Sequence, residues 1–198
     1  MTGLTAAPPV ISPDGDGIDD ALAISYTLTS RASVTATVKD PSGTVVATLF
    51  ANQVQGARRQ SFAYGAGGLS DGTYTLSVGA VTSDGRKARL EAAFAVDRTL
   101  SGLALTTSVL TPNGDGVDDT LGIMFTLATY AQVTVQIEQS GSVFATVFGG
   151  QLPAGPAQIV WDGTTPAGLV PPGSYDAVVL VDGPYGLTRH ASPFTVSG

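Results

Sequence analysis

Apolar and polar positions alternate with a period of two along most of this chain. Ala21–Thr29 places Leu22, Ile24, Tyr26 and Leu28 on one face, with smaller or polar residues between them. Leu121, Ile123, Phe125 and Leu127 repeat the arrangement a hundred residues later. Such alternation predicts half-buried strands, because successive side chains of a strand point to opposite faces. Val34–Val38, Thr44–Phe50, Gln60–Tyr64, Thr73–Val81 and Lys87–Val96 read as further strands, as does the segment before Ser12. Between them lie turn signals: Asp40-Pro41-Ser42-Gly43, Gly65–Gly68 and Ser83-Asp84-Gly85. Glycine, proline and aspartate there favour tight reversals. About seven short strands per hundred residues predict a two-sheet sandwich of immunoglobulin type, with no helix longer than a turn.

The pattern occurs twice. Ser12–Asp40 aligns without gaps on Thr111–Gln139, with 13 of 29 positions identical. Asp71-Gly72-Thr73-Tyr74 then corresponds to Pro172-Gly173-Ser174-Tyr175. A repeat of this length is one domain, not one turn of a solenoid. The expected fold class is therefore all-β, two tandem immunoglobulin-like β-sandwich domains, spanning residues 1–97 and 98–198.

Composition agrees and adds one feature. Thr, Val, Ala and Gly dominate, and only 13% of residues are charged. The net charge of −7 is concentrated: Asp14, Asp16, Asp19 and Asp20 lie in one short loop, and Asp115, Asp118 and Asp119 in its counterpart. The remaining nine acids balance the nine Lys and Arg. No basic face is left to neutralise phosphates, so nucleic acid is not an expected partner. There is no cysteine, which excludes disulfides and thiolate chemistry. No apolar run is long enough to span a bilayer. Met1-Thr2-Gly3 leads into neither a basic nor an apolar leader segment, so the chain is either cytosolic or a piece of a larger, extracellular or cell-surface protein, and the second is the expectation.

The two acidic loops are the candidate sites. Calcium takes six to eight oxygen ligands from carboxylates, backbone carbonyls and water. Asp14, Asp16, Ile18, Asp19 and Asp20 form the first candidate set, and Asn113, Asp115, Val117, Asp118 and Asp119 the second. The glycines let the backbone curl so that alternate side chains turn inward, and without a cation carboxylates this close repel one another. The expectation is one Ca2+ per domain. An EF-hand is excluded, since its twelfth loop position is Ser25 and not Glu. The alternative is that the loops are Asx turns whose carboxylates receive backbone N–H groups.

Thr111-Pro112-Asn113-Gly114-Asp115-Gly116-Val117-Asp118-Asp119, Ile123–Leu127, Trp161-Asp162-Gly163 and Pro172–Tyr175 together resemble the immunoglobulin-like domain named after the flagellar hook-capping protein, FlgD. The first copy departs from this pattern, with Phe62-Ala63-Tyr64-Gly65 where Trp-Asp-Gly stands in the second. The resemblance implies a repeated accessory module of secreted bacterial proteins, attached to peptidases, wall hydrolases or surface proteins and not itself catalytic.

Trp161 falls at core phase and reads as a packed aromatic. Arg58 and Arg59 read as a solvated pair. His190, the only histidine, reads as an ordinary, partly exposed residue, since alone it cannot build a histidine-based metal site. No pair of carboxylates is placed across a cleft as glycoside hydrolysis would need. The functional expectation is a non-catalytic, calcium-binding tandem module, a stiff spacer or accessory segment of a secreted or surface-attached bacterial protein. Its partner would be the rest of that protein or a cell-surface component. The alternative is an adhesive module that binds polysaccharide or a surface partner.

Overall fold

The structure, a computed structural model, describes residues 1–166 and 168–197, so residues 167 and 198 of the second copy lie outside the described residues. It contains strands and turns and, among these residues, no helix. The chain divides into two compact units. One comprises Met1–Pro13 and Asp19–Asp97. The other comprises Asp14–Ile18 and the chain from Arg98 onward.

In the first unit the strands are β1 (Thr2–Ala7), β2 (Val10–Ile11), β3 (Leu22–Thr27), β4 (Ala32–Lys39), β5 (Val45–Gln55), β6 (Arg59–Tyr64), β7 (Gly72–Thr82) and β8 (Lys87–Val96). They form a three-stranded sheet, β1-β3-β6, and a five-stranded sheet, β2-β8-β7-β4-β5. The alternation explains the core. In β4 every second residue is buried: Ala32, Val34, Ala36 and Val38. Leu22, Ile24, Tyr26 and Leu28 are buried from the other sheet, as expected. Aligned facing sheets of this kind are the immunoglobulin-like sandwich.

The segment before Ser12 is two strands in place of one. β1 pairs antiparallel with β3, whereas β2 pairs parallel with β8 in the other sheet. Pro8 and Pro9 separate them, and a proline cannot donate to a ladder. The carbonyl of Pro9 still accepts from Ala95 N–H, at 2.9 Å, and so begins the second pairing.

The second unit follows the same plan. Its strands are β9 (Leu100–Leu105), β10 (Val109–Leu110), β11 (Leu121–Leu127), β12 (Ala131–Gln139), β13 (Ser142–Leu152), β14 (Gly155–Trp161), β15 (Thr164–Thr165), β16 (Gly168–Leu169), β17 (Gly173–Gly183) and β18 (Gly186–Val196). The sheets are β9-β11-β14 and β10-β18-β17-β12-β13, and β15-β16 is a small added ribbon. Leu121, Ile123, Phe125 and Leu127 face Val133, Val135, Ile137, Val179 and Val181 in one buried cluster.

Both five-stranded sheets end in an eleven-residue edge strand, β5 or β13, whose register against its neighbour is interrupted by bulges. Each also carries a hydroxyl lock at the start of its long central strand. Tyr74 donates to the Ser70 carbonyl and Tyr175 to the Pro171 carbonyl, both at 2.9 Å. Tyr64 pairs with Leu22 as Trp161 pairs with Leu121. Each ring meets a phenylalanine edge to face, Phe94 or Phe194. The first copy thus fills the Trp161 position with a smaller aromatic.

Candidate functional site

The first acidic loop runs between β2 and β3, with Asp14–Ile18 grouped in the second unit, and the second loop runs between β10 and β11. In both, two glycines take the left-handed region: Gly15 and Gly17 at φ of 89° and 88°, Gly114 and Gly116 at 82° and 89°. A side chain is strained there, so the Gly-Asp-Gly spacing is a backbone requirement. Asp19 and Asp118 also have positive φ, 52° and 53°. Their carbonyls close the loops by accepting from Ser12 N–H (3.0 Å) and Thr111 N–H (2.8 Å).

In the second loop the carboxylates turn toward the backbone. Asp119 accepts from Gly114 N–H at 2.7 Å through one oxygen and from Gly116 N–H at 2.6 Å through the other. These two N–H groups, in that order of strength, hold its carboxyl below the ordinary value. Asp115 accepts from Val117 N–H at 2.8 Å, and Asn113 from Asp115 N–H at 2.9 Å. The Val117 carbonyl accepts from Thr111 Oγ1. These are Asx-turn contacts, and each carboxylate oxygen keeps a second lone pair.

The first loop differs. Asp14 Oδ1 accepts from Asp16 N–H at 3.2 Å and Asp16 Oδ1 from Ile18 N–H at 2.7 Å. The remaining oxygens face β18. Asp14 Oδ2 lies 2.8 Å from His190 Nδ1, and Asp16 Oδ2 lies 3.8 Å from the same nitrogen and 3.3 Å from Ala191 N. Both carboxylate side chains are 16% exposed, and the imidazole is 0% exposed. Burial raises the Asp16 carboxyl above its ordinary value. The Ile18 N–H opposes this, Asp14 adds to it, and Ala191 N–H and His190 oppose it further. Among the described residues, Asp14, Asp16 and His190 are the one group of three metal-ligating side chains, with ligand atoms within 4.8 Å of one another. In the first unit, Ser12 Oγ is buried without a hydrogen-bond partner, whereas its counterpart Thr111 donates to Val117.

His190 is therefore not the partly exposed residue expected. It shares the face of β18 that carries Phe194 and Val196 and pairs across the strand with Val179. At the matching register the first copy has Leu90. A polar residue at a core phase is the signal that could have singled it out. Arg58 and Arg59 are both exposed, as expected, and Arg59 also donates to Ser25 Oγ at 3.0 Å. Trp161 is 5% exposed and donates from Nε1 to the Thr164 carbonyl at 2.9 Å. Among the described residues no helix is long and apolar enough to cross a membrane.

The fold and the paired loops define an immunoglobulin-like module. Residues 108–184 match the FlgD Ig-like domain. Comparison with curated proteins finds no match. Among solved structures, the chain is similar to a tetra-tandem repeat in the extending region of a large adhesion protein, at 20% identity and a TM-score of 0.37, over 98% of this chain and 48% of that one. It is similar to a DUF4785 family protein from Legionella pneumophila at 13% identity and a TM-score of 0.49, over 96% of this chain and 55% of the other. A third is dimeric latent PorU from Porphyromonas gingivalis, at 13% identity and a TM-score of 0.37, over 99% of this chain and 20% of that one. The chain thus spans between 20% and 55% of the length of these three structures.

Proposed function

We propose that this chain is a non-catalytic tandem immunoglobulin-like module, a spacer or accessory segment of a larger secreted or surface-attached bacterial protein, and that its Asp/Gly loops bind calcium. The observation that carries the reading is the match of residues 108–184 to the FlgD Ig-like domain, beside a first copy built on the same strand order. Tyr26 and Phe94 in the first copy, and Trp161, Tyr175 and Phe194 in the second, are spent on filling the sandwich. For calcium, the support is an acidic loop of the same backbone form in both copies, with carboxylate lone pairs left over after the Asx turns. A cation that binds only the folded chain adds about 2.7 kcal/mol at a hundredfold excess over its Kd. Melting in millimolar calcium is therefore expected above melting in EDTA. Identical melts would remove calcium from the proposal.

One observation favours an adhesive role. A groove of about 640 Å³ beside β5 and β6 is lined by Phe50, Phe62 and Tyr64 and by the amides of Gln53, Gln55 and Gln60. Aromatic surface with neutral amide donors and acceptors is chemistry suited to sugars. Retention on insoluble cell-wall polysaccharide, lost in Gln53→Ala with Gln60→Ala, would support this role over that of a plain spacer.

A further inference from the structure

We infer that the first acidic loop takes a divalent transition ion of the zinc class, held by Asp14, Asp16 and His190, where the second loop offers oxygen ligands alone. This rests on the reading that the loops hold divalent cations, and it changes which ion the first one selects.

The argument starts from the imidazole. His190 is fully buried, with two polar directions. On one side Nε2 lies 3.2 Å from Thr188 Oγ1. The Thr188 hydroxyl donates to the Val181 carbonyl at 3.5 Å, so its oxygen is left to accept. Both ring nitrogens are thus already in hydrogen bonds, Nε2 with Thr188 Oγ1 and Nδ1 with Asp14 Oδ2 at 2.8 Å, and it is Nδ1 that faces the two carboxylates. The hydrogen bond made by one ring nitrogen sets the role of the other. A divalent ion would take the place of the proton shared by Nδ1 and Asp14, with Asp16 Oδ2 as a further ligand, since the three ligand atoms lie within 4.8 Å of one another.

The spacing suits a small ion. Two ligands about 2.05 Å from zinc at the tetrahedral angle are roughly 3.3 Å apart. The Nδ1 distances to Asp14 and Asp16, 2.8 and 3.8 Å, lie on either side of that figure. The donor set decides the class. Imidazole nitrogen suits zinc, copper, iron and nickel, whereas calcium prefers oxygen throughout. Three protein ligands leave a further position for water. The first copy's own β8 has Leu90 at the matching register, and the second loop gains no such nitrogen from the described residues.

The test uses the untagged, metal-free full chain, in which His190 is the only histidine. Zinc chloride and calcium chloride are titrated separately, by calorimetry and by ¹⁵N NMR of the imidazole. The expected result is one zinc per chain bound at least tenfold more tightly than calcium at this loop, with a large shift of the imidazole ¹⁵N signals. Asp14→Asn and Asp16→Asn should each weaken zinc binding tenfold or more while keeping the metal-free circular dichroism of the parent. Zinc binding that survives both substitutions, or that leaves the imidazole signals in place, overturns the inference. Calcium bound at the first loop as tightly as zinc, with Nδ1 unmoved, overturns it and keeps the calcium reading. Calcium binding lost only in Asp115→Ala, together with zinc binding lost only in the Asp14 and Asp16 variants, supports both. A chain that binds neither ion overturns both.

Discussion

Tyr175 donates its hydroxyl to the carbonyl of Pro171, four residues upstream, while its ring packs 5.8 Å from that of Phe194. One side chain thereby ties the turn before β17 to the core beneath it. Tyr74 and Ser70 repeat the contact in the first unit. A net intramolecular hydrogen bond is worth about 1 kcal/mol. Tyr175→Phe should therefore lower the melting temperature of the second unit by several degrees. Tyr74→Phe should cost less, because Tyr175 is 3% exposed and Tyr74 is only half-buried. Calorimetric scans of the two variants check the order.

Trp161 should emit as a buried indole. It is enclosed beside Phe194, and its N–H is already spent on the Thr164 carbonyl. Its fluorescence should be blue-shifted in the folded chain and should shift red on denaturation. Trp161→Ala should cost about 3–5 kcal/mol, as for other large aromatics removed from cores. Denaturant titration measures it.

Acid should loosen the second loop. The Asp119 carboxyl lies below its ordinary value of 3.8, because Gly114 and Gly116 N–H groups favour the ionised form. A folded-state value depressed in this way stabilises the loop at pH above the unfolded value. The stabilisation is lost as pH falls through the folded value. The amide resonances of Gly114 and Gly116 should therefore move together below about pH 4. In Asp119→Asn that titration should be absent, and both amides should exchange faster at neutral pH.

Calcium at the second loop should depend on Asp115. Asp115→Ala removes one carboxylate and the turn contact to Val117, so its calorimetric event should disappear while circular dichroism stays unchanged. Asp118→Asn, which keeps the side chain's shape, should weaken calcium without abolishing it, since affinity follows ligand charge count.

The core was legible because period two fixes which side chains face inward. Leu22, Ile24, Tyr26 and Leu28, and their counterparts from Leu121 to Leu127, lie where the alternation puts them. The division of the first segment into β1 and β2 was not legible. Alternation says which face a residue takes but not which sheet a strand joins, and that depends on long-range pairing with β3 and β8. The Asp/Gly loops were legible as loops, since their glycines and paired aspartates stand together in the sequence. His190 was not, because Asp14 is 176 positions away and nothing local to either residue announces the other. Only its phase with Phe194 and Val196 marked it, as a polar side chain where the strand wants an apolar one.

The bulges along β5 and β13 bear on how many such chains can be crowded together. An outermost strand with a straight, regular row of free backbone groups invites another chain to add to the sheet. Here the outermost strands carry exposed apolar side chains, Val45, Val46 and Val54 in one and Val143 and Phe144 in the other, which would favour such addition. The register interruptions at Val34/Ala36, Ala36/Thr37 and Val38/Lys39, and at Val135/Gln136 and Ile137/Glu138, break that row into short pieces. At the opposite margins β2 and β10 are only two residues long and offer little to pair with. Edge-to-edge addition along these two sheets is therefore interrupted, and the apolar residues on those margins remain usable for contacts made by side chains alone.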